Sequence, residues 1–84
     1  MDPEDATQLL EALASAGWVV RGAWIYAPRG TMWLSVREPW HEDLVVLLER
    51  MVGRIERARQ NGLDDVVADT QSLVDVLKQL LGGR

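Results

Sequence analysis

The side chains best suited to catalysis are few in this 84-residue chain and lie far apart in the sequence. His41 is the only histidine, and Glu42 and Asp43 follow it directly, all three being residue types that bind metals or carry protons. Consecutive residues of a helix point in different directions, so this triplet does not converge on one ion. Cysteine is absent, and no serine or threonine stands in a recognisable nucleophile motif. We therefore expect no enzyme activity, no metal site and no cofactor.

A second group of residues is suited to binding rather than catalysis. The run GWVVRGAWIYAPRGTMWLSVRE, residues 17–38, holds three of the four tryptophans and three arginines, with no acid before Glu38. Aromatic rings beside basic groups can stack the bases of single-stranded nucleic acid, but an aromatic centre with an arginine rim is also typical of protein interfaces. The net charge of −4 and the pI of about 4.8 oppose phosphate binding. We therefore expect a protein partner, with nucleic-acid binding through these Arg and Trp residues as the alternative.

The first element that frames this run is a helix, predicted at residues 3–16. Asp2 is a good N-cap residue, and Pro3 is suited to the first helical position. Gly17 can adopt the left-handed conformation that ends a helix, and Trp18 would then pack back on the last turn.

The run itself is predicted to form a two-stranded hairpin, with strands at about 18–27 and 31–37. The APRG stretch favours a three-residue loop that pairs Ala27 with Thr31. That register fixes which side chains share a face. The inner face, toward the helices, is predicted to hold Trp24, Tyr26, Met32, Leu34 and Val36. The outer face is predicted to hold Arg21, Ala23, Ile25, Trp33, Ser35 and Arg37.

Two further helices are predicted, at about 39–60 and 63–81, joined by the cap signal Asn61-Gly62. So short a connection makes them antiparallel neighbours. Their apolar stripes are wider than one partner helix requires, because Val45, Val52 and Val67 extend them sideways. The first helix and the hairpin are expected to cover part of this surface, and any remainder is available as an interface.

The chain is thus predicted to be a single α+β domain over residues 1–84, in the order α-β-β-α-α. A two-stranded antiparallel hairpin packs on a C-terminal antiparallel helical hairpin plus an N-terminal helix. Small domains bury a thin core and two-fold dimers are the commonest oligomers, so we expect a symmetric dimer. Pairing of hairpin edges across the two-fold would give a four-stranded sheet. The lack of cysteine, of a signal peptide and of a membrane-spanning run favours the cytoplasm.

The predicted partner-binding residues are Ile25 and Trp33, ringed by Arg21 and Arg37. Trp40, near the start of the second helix, is either a staple onto the core or a half-exposed anchor for the partner. These residues predict a small protein–protein interaction module, such as an adaptor, a chaperone-like protein, or a regulatory or inhibitor subunit. It would act as a homodimer or on another protein through the hairpin, without membrane contact.

Overall fold

The computed structural model describes residues 1–36 and 43–83. Within these residues the chain forms three helices and a three-stranded antiparallel sheet, which confirms the α+β class. The elements are α1 (Pro3–Ser15), β1 (Val19–Arg21), β2 (Trp24–Tyr26), β3 (Trp33–Ser35), α2 (Leu44–Gln60) and α3 (Asp64–Gly82). Helices α2 and α3 pack against each other, and α1 also contacts α3. None of the described helices is long and apolar enough to cross a membrane.

Helix α1 begins and ends as its capping residues predict. The Asp2 carboxylate accepts a hydrogen bond from the Asp5 N–H at 2.8 Å. At the other end Gly17 has a φ of 96°, and the Trp18 N–H donates to the Leu13 carbonyl at 3.0 Å. This is the pattern of a Schellman cap. Trp18 is buried as predicted, and the cap therefore directs the chain from α1 into the core.

The sheet has three strands rather than the predicted two. Gly22 has a φ of 62° and forms a two-residue turn with Ala23, so Arg21 pairs with Trp24. The turn divides the predicted strand 18–27 into β1 and β2. Glycine readily adopts a positive φ at the first position of a two-residue turn, and such turns join the strands of tight β-hairpins. The strand order is β1-β2-β3, which puts β2 in the centre.

The predicted pairing between β2 and β3 is wrong by one residue. Ala27 lies opposite Met32 instead of Thr31, since the Ala27 N–H donates to the Met32 carbonyl at 3.0 Å. The loop between them therefore has four residues, and Tyr26 pairs with Trp33. Because side chains alternate along a strand, the slip places the predicted inner residues of β2 on the outer face and its outer residues inside.

The core shows the consequence of this register. Ile25, predicted to lie in the contact surface, is fully buried, whereas Trp24, predicted to be core, is 43% exposed. Ile25 pairs with Leu34, and Ala27 and Met32 are buried on the same side of the sheet. They join one apolar cluster with Trp18 and with residues of all three helices, namely Leu9, Leu13, Leu44, Leu47, Met51, Ile55, Leu73, Val74, Val76 and Leu77.

The helical hairpin follows the prediction except at its start. Helix α2 begins at Leu44 rather than near Pro39, because Asp43 has extended backbone angles and caps the helix by accepting from the Val46 N–H at 2.8 Å. The expected turn at Gly62 is confirmed by a φ of 68°. The extra apolar line on α2 is left uncovered by the described residues, since Val45 and Val52 stay exposed.

Candidate functional site

One face of the sheet points away from the helices, and we call it the outer sheet face. Residues directly opposite each other on neighbouring strands share a face. Two rows therefore cross the three strands, one formed by Val19, Tyr26 and Trp33 and the other by Arg21, Trp24 and Ser35. These six residues define the outer sheet face.

The outer sheet face is mostly apolar and aromatic yet open to solvent. Val19 is 51% exposed, Trp24 43% and Trp33 55%, and Tyr26 is half-buried between them. A tryptophan has at most about 250 Å² of surface to bury, so Trp24 leaves at most about 110 Å² and Trp33 at most about 140 Å² uncovered. Contiguous apolar patches of this kind mark interaction sites in soluble proteins.

Two of the aromatic rings form a pair with defined geometry. The ring centroids of Tyr26 and Trp33 lie 6.2 Å apart, with a 42° angle between the ring planes. The two residues are direct cross-strand neighbours on β2 and β3, so the backbone pairing sets the distance between them. The rings are neither stacked nor perpendicular.

Positive charge borders the aromatic residues. Arg21 is exposed on β1, and Arg29 lies in the β2–β3 loop. A groove of about 420 Å³ connects these parts, lined by Val19, Tyr26 and both arginines together with the turn residues Gly17, Ala27, Pro28 and Gly30. Residues 18–37 contain no acid. Among the six residues of the outer sheet face, Arg21 is the charged one, a cation in a chain whose net charge is negative.

Arg29 is held in place by helix α3. Its guanidinium Nη1 lies 2.7 Å from Asp65 Oδ1, and this hydrogen bond raises the pKa of Arg29 above its ordinary value. Asp65 stands in the first turn of α3, as its sequence position predicts. The pair is exposed, so it contributes little to the stability of the fold.

A buried carboxylate on α3 holds the loop that sets the register. Asp69 is 1% exposed, and its Oδ1 accepts from the Arg29 N–H at 2.9 Å. Its Oδ2 accepts from the Thr31 N–H at 2.9 Å and from the Thr31 hydroxyl at 2.7 Å. Both carboxylate oxygens are thus used on the β2–β3 loop. The sequence analysis missed Asp69, although its i, i+4, i+7 spacing to Leu73 and Val76 places it on the buried side of the helix.

The predicted partner-binding residues are distributed as follows. Trp33 and Arg21 lie on the outer sheet face, and Trp33 is exposed as predicted. Ile25 lies in the core beneath that face. Arg37 and Trp40 fall outside the described residues. Sequence reasoning missed Val19, Trp24 and Tyr26, and Gly22 was the signal that would have separated β1 from β2.

A second groove lies where α2 meets α3. It measures about 270 Å³ and is lined by Arg54, Arg57, Ala58, Asn61, Leu63 and Val66. Arg54 is half-buried, and its Nε is enclosed without a hydrogen-bond partner. This groove contains no aromatic residue, and the outer sheet face remains the stronger candidate for binding.

The structure describes only part of the triplet His41, Glu42 and Asp43 that was considered as a metal site. No three His, Asp or Glu side chains of residues 1–36 and 43–83 come together as metal ligands. His41 and Glu42 lie outside the described residues, and Asp43 caps α2. Comparison with protein-family models, with curated proteins and with solved structures finds no match to this chain.

Proposed function

We propose that this protein is a small protein–protein interaction module that binds another polypeptide through its outer sheet face. One observation carries the proposal: Val19, Trp24 and Trp33 are each about half exposed on a single sheet face, around the ring of Tyr26. Tryptophan, tyrosine and arginine are the residue types most enriched where interfaces gain their binding energy. The outer sheet face combines all three types.

The sheet beneath this face supports such a role. Ile25 anchors β2 in the core, and Asp69 fixes the loop that leads into β3. The aromatic side chains therefore project from a backbone that is held from below. A binding surface that is already in place loses less entropy when the partner arrives.

The partner is either a second copy or another protein. Strands β1 and β3 are the two edges of the sheet, so edge pairing of two copies would give a six-stranded sheet instead of the four-stranded one expected from a hairpin. The roles compatible with such a module are those of an adaptor, a chaperone-like protein, or a regulatory or inhibitor subunit.

The test is a comparison of Trp33→Ser with Val52→Ser, a control that removes an exposed apolar side chain from α2. Self-association is measured by sedimentation, and binding of other proteins by capture from the source cell on each immobilised variant. We expect Trp33→Ser to weaken association by about 2 kcal/mol or more, with little change in melting temperature. Val52 belongs to the uncovered apolar line of α2, so this variant tests the competing surface, and we expect it to associate as the wild type does. If Trp33→Ser retains every association of the wild type, the outer sheet face is not the binding surface.

A nucleic-acid-binding accessory function is the second candidate, because three aromatic rings share one sheet face with Arg21. Base stacking on such rings contributes about 1–3 kcal/mol per base. The test is the affinity for short oligothymidylate over a series of salt concentrations. Submicromolar binding that falls steeply with salt, and that Arg21→Glu abolishes, would favour this function over protein recognition.

A further inference from the structure

We infer that the outer sheet face recognises an extended, proline-containing peptide segment that carries acidic residues beside its prolines. The inference rests on the proposed function and names the class of partner. Three properties of the outer sheet face lead to it: the small area, the geometry of the Tyr26–Trp33 pair, and the sign of the surrounding charge.

The area favours a peptide over a second copy of the chain. Stable protein–protein interfaces bury about 800 Å² on each partner. With 43% of Trp24 and 55% of Trp33 exposed, the two rings together offer roughly 250 Å² at most. Val19, Tyr26 and Arg21 add further surface, but the three strands have only three residues each. The face is thus of a size to hold a short segment.

The aromatic pair favours proline within that segment. Proline-rich segments adopt the polyproline II conformation before they bind, and they dock on grooves lined by aromatic rings. Tyr26 and Trp33, with ring centroids 6.2 Å apart, are neighbouring aromatic side chains on the outer sheet face, and a pyrrolidine ring can pack on such a surface. A polyproline II backbone leaves its carbonyls unpaired, and the tyrosine hydroxyl and tryptophan N–H are donors that match them.

Binding along a sheet edge would not use the same residues. Addition of a strand to β1 or β3 relies on main-chain hydrogen bonds, and each of these strands is only three residues long. It would also leave Trp24 and the aromatic pair uncovered. Occupation of the outer sheet face instead buries the side chains whose exposure requires explanation.

The charge favours acidic residues in the partner. Arg21 borders the aromatic rows from β1, and Arg29 borders them from the β2–β3 loop. Arg29 already pairs with Asp65, so Arg21 is the cation that should discriminate between peptides. The chain outside residues 18–37 carries a negative net charge, but α2 also carries Arg50, Arg54, Arg57 and Arg59. The combination of Arg21 with the aromatic rows is therefore what should direct an acidic, proline-containing segment to this face.

The experiment uses the full chain and three synthetic peptides of equal length. The first has a run of prolines flanked by glutamates. The second keeps the glutamates but replaces the prolines by alternating glycine and serine. The third keeps the prolines but has lysine flanks. Binding is measured by fluorescence anisotropy, and the residues affected are identified by amide and indole NMR shifts.

We expect the glutamate-flanked proline peptide to bind and to shift the indole signals of Trp24 and Trp33. Affinity should fall by about thirtyfold in Trp33→Ser and stay unchanged in the control Val52→Ser. In Arg21→Glu the preference should reverse toward the lysine-flanked peptide. Tyr26→Leu keeps an apolar side chain while removing the ring, and it should also lose most of the affinity.

Four outcomes would overturn the inference. The first is that the glycine-serine peptide binds as tightly as the glutamate-flanked proline peptide, and the second is that the NMR shifts are confined to residues outside the outer sheet face. The third is that oligothymidylate binds and the peptides do not. The fourth is that no peptide binds at millimolar concentration. If no peptide binds while Trp33→Ser still abolishes association with a second copy or a captured protein, the inference fails and the proposed function stands. If Trp33→Ser changes neither peptide binding nor association with another protein, the inference and the proposed function both fail.

Discussion

Replacement of Asp69 by asparagine tests how the register of the sheet is maintained. The carboxylate is buried and accepts three hydrogen bonds, from the N–H groups of Arg29 and Thr31 and from the Thr31 hydroxyl. Asparagine has nearly the same shape but only one acceptor oxygen. In any orientation its NH₂ group faces a donor of the loop, so at least one hydrogen bond is lost and a donor is left unsatisfied.

The expected loss of stability follows from these contacts. A hydrogen bond to a charged group contributes about 1.5–3 kcal/mol. One lost bond therefore predicts a decrease of about 2 kcal/mol for Asp69→Asn. Asp69→Ala removes all three bonds, but it also relieves the cost of burying a carboxylate, and water can reach the part-buried loop. We expect about 3 kcal/mol for alanine, a large fraction of the 5–15 kcal/mol typical of a domain.

Urea denaturation followed by circular dichroism measures the change, with Asp75→Asn as the matched control. Asp75 lies on the same helix but is exposed, and it accepts one hydrogen bond from Gln71 at 2.8 Å. Its replacement should alter the free energy of unfolding by less than about 0.5 kcal/mol. Amide hydrogen exchange provides a local measurement, because Arg29 and Thr31 should exchange faster in Asp69→Asn.

The reasoning would be refuted if Asp69→Asn were as stable as Asp75→Asn and the exchange of the Arg29 and Thr31 amides were unchanged. The loop would then keep its conformation without the carboxylate, and the four-residue connection would arise from strand packing alone. Asparagine is the informative substitution here, since it adds no cavity and the protein should remain folded.

Two further comparisons test the packing and the backbone. Trp18→Ser should lower the free energy of unfolding by about 3–5 kcal/mol, because this ring is buried. Trp24→Ser should lower it by less than about 1 kcal/mol, because that ring lies on the outer sheet face. Equal decreases in melting temperature for the two variants would contradict this assignment. Gly22→Val should lower the free energy of unfolding by about 1–2 kcal/mol because φ is 62°, whereas Gly53→Ala, in a helix interior, should raise it by about 0.5–1 kcal/mol. A urea midpoint of Gly22→Val equal to that of the wild type would refute the turn assignment.

Both ends of α1 and the C-terminal end of α2 could be predicted from the sequence because their signals are local. Asp2 bonds to a backbone N–H three residues away, and Gly17 and Gly62 adopt the positive φ that a C-terminal cap requires. Both partners of each contact lie within a few positions along the chain. The α+β class and the helical hairpin follow from the same signals together with the apolar periodicity.

The exposed position of Trp33 was also predictable, because β3 alternates clearly. Met32, Leu34 and Val36 share one side, and Ser35 on the other side marks the direction of solvent. Strand β2 reads Trp-Ile-Tyr and is apolar at every position, so its sequence carries no information about which side faces the core. The sequence analysis assigned that side wrongly and exchanged Trp24 with Ile25.

Only the tertiary structure decided the composition of the outer sheet face. The register of β2 against β3 depends on a four-residue loop, and that loop is bonded to Asp69 on a helix 38 to 40 residues further along the chain. No local pattern specifies a contact over that distance. Because adjacent residues of a strand point to opposite faces, the tertiary structure buries Ile25 of β2 in the core and leaves Trp24 43% exposed.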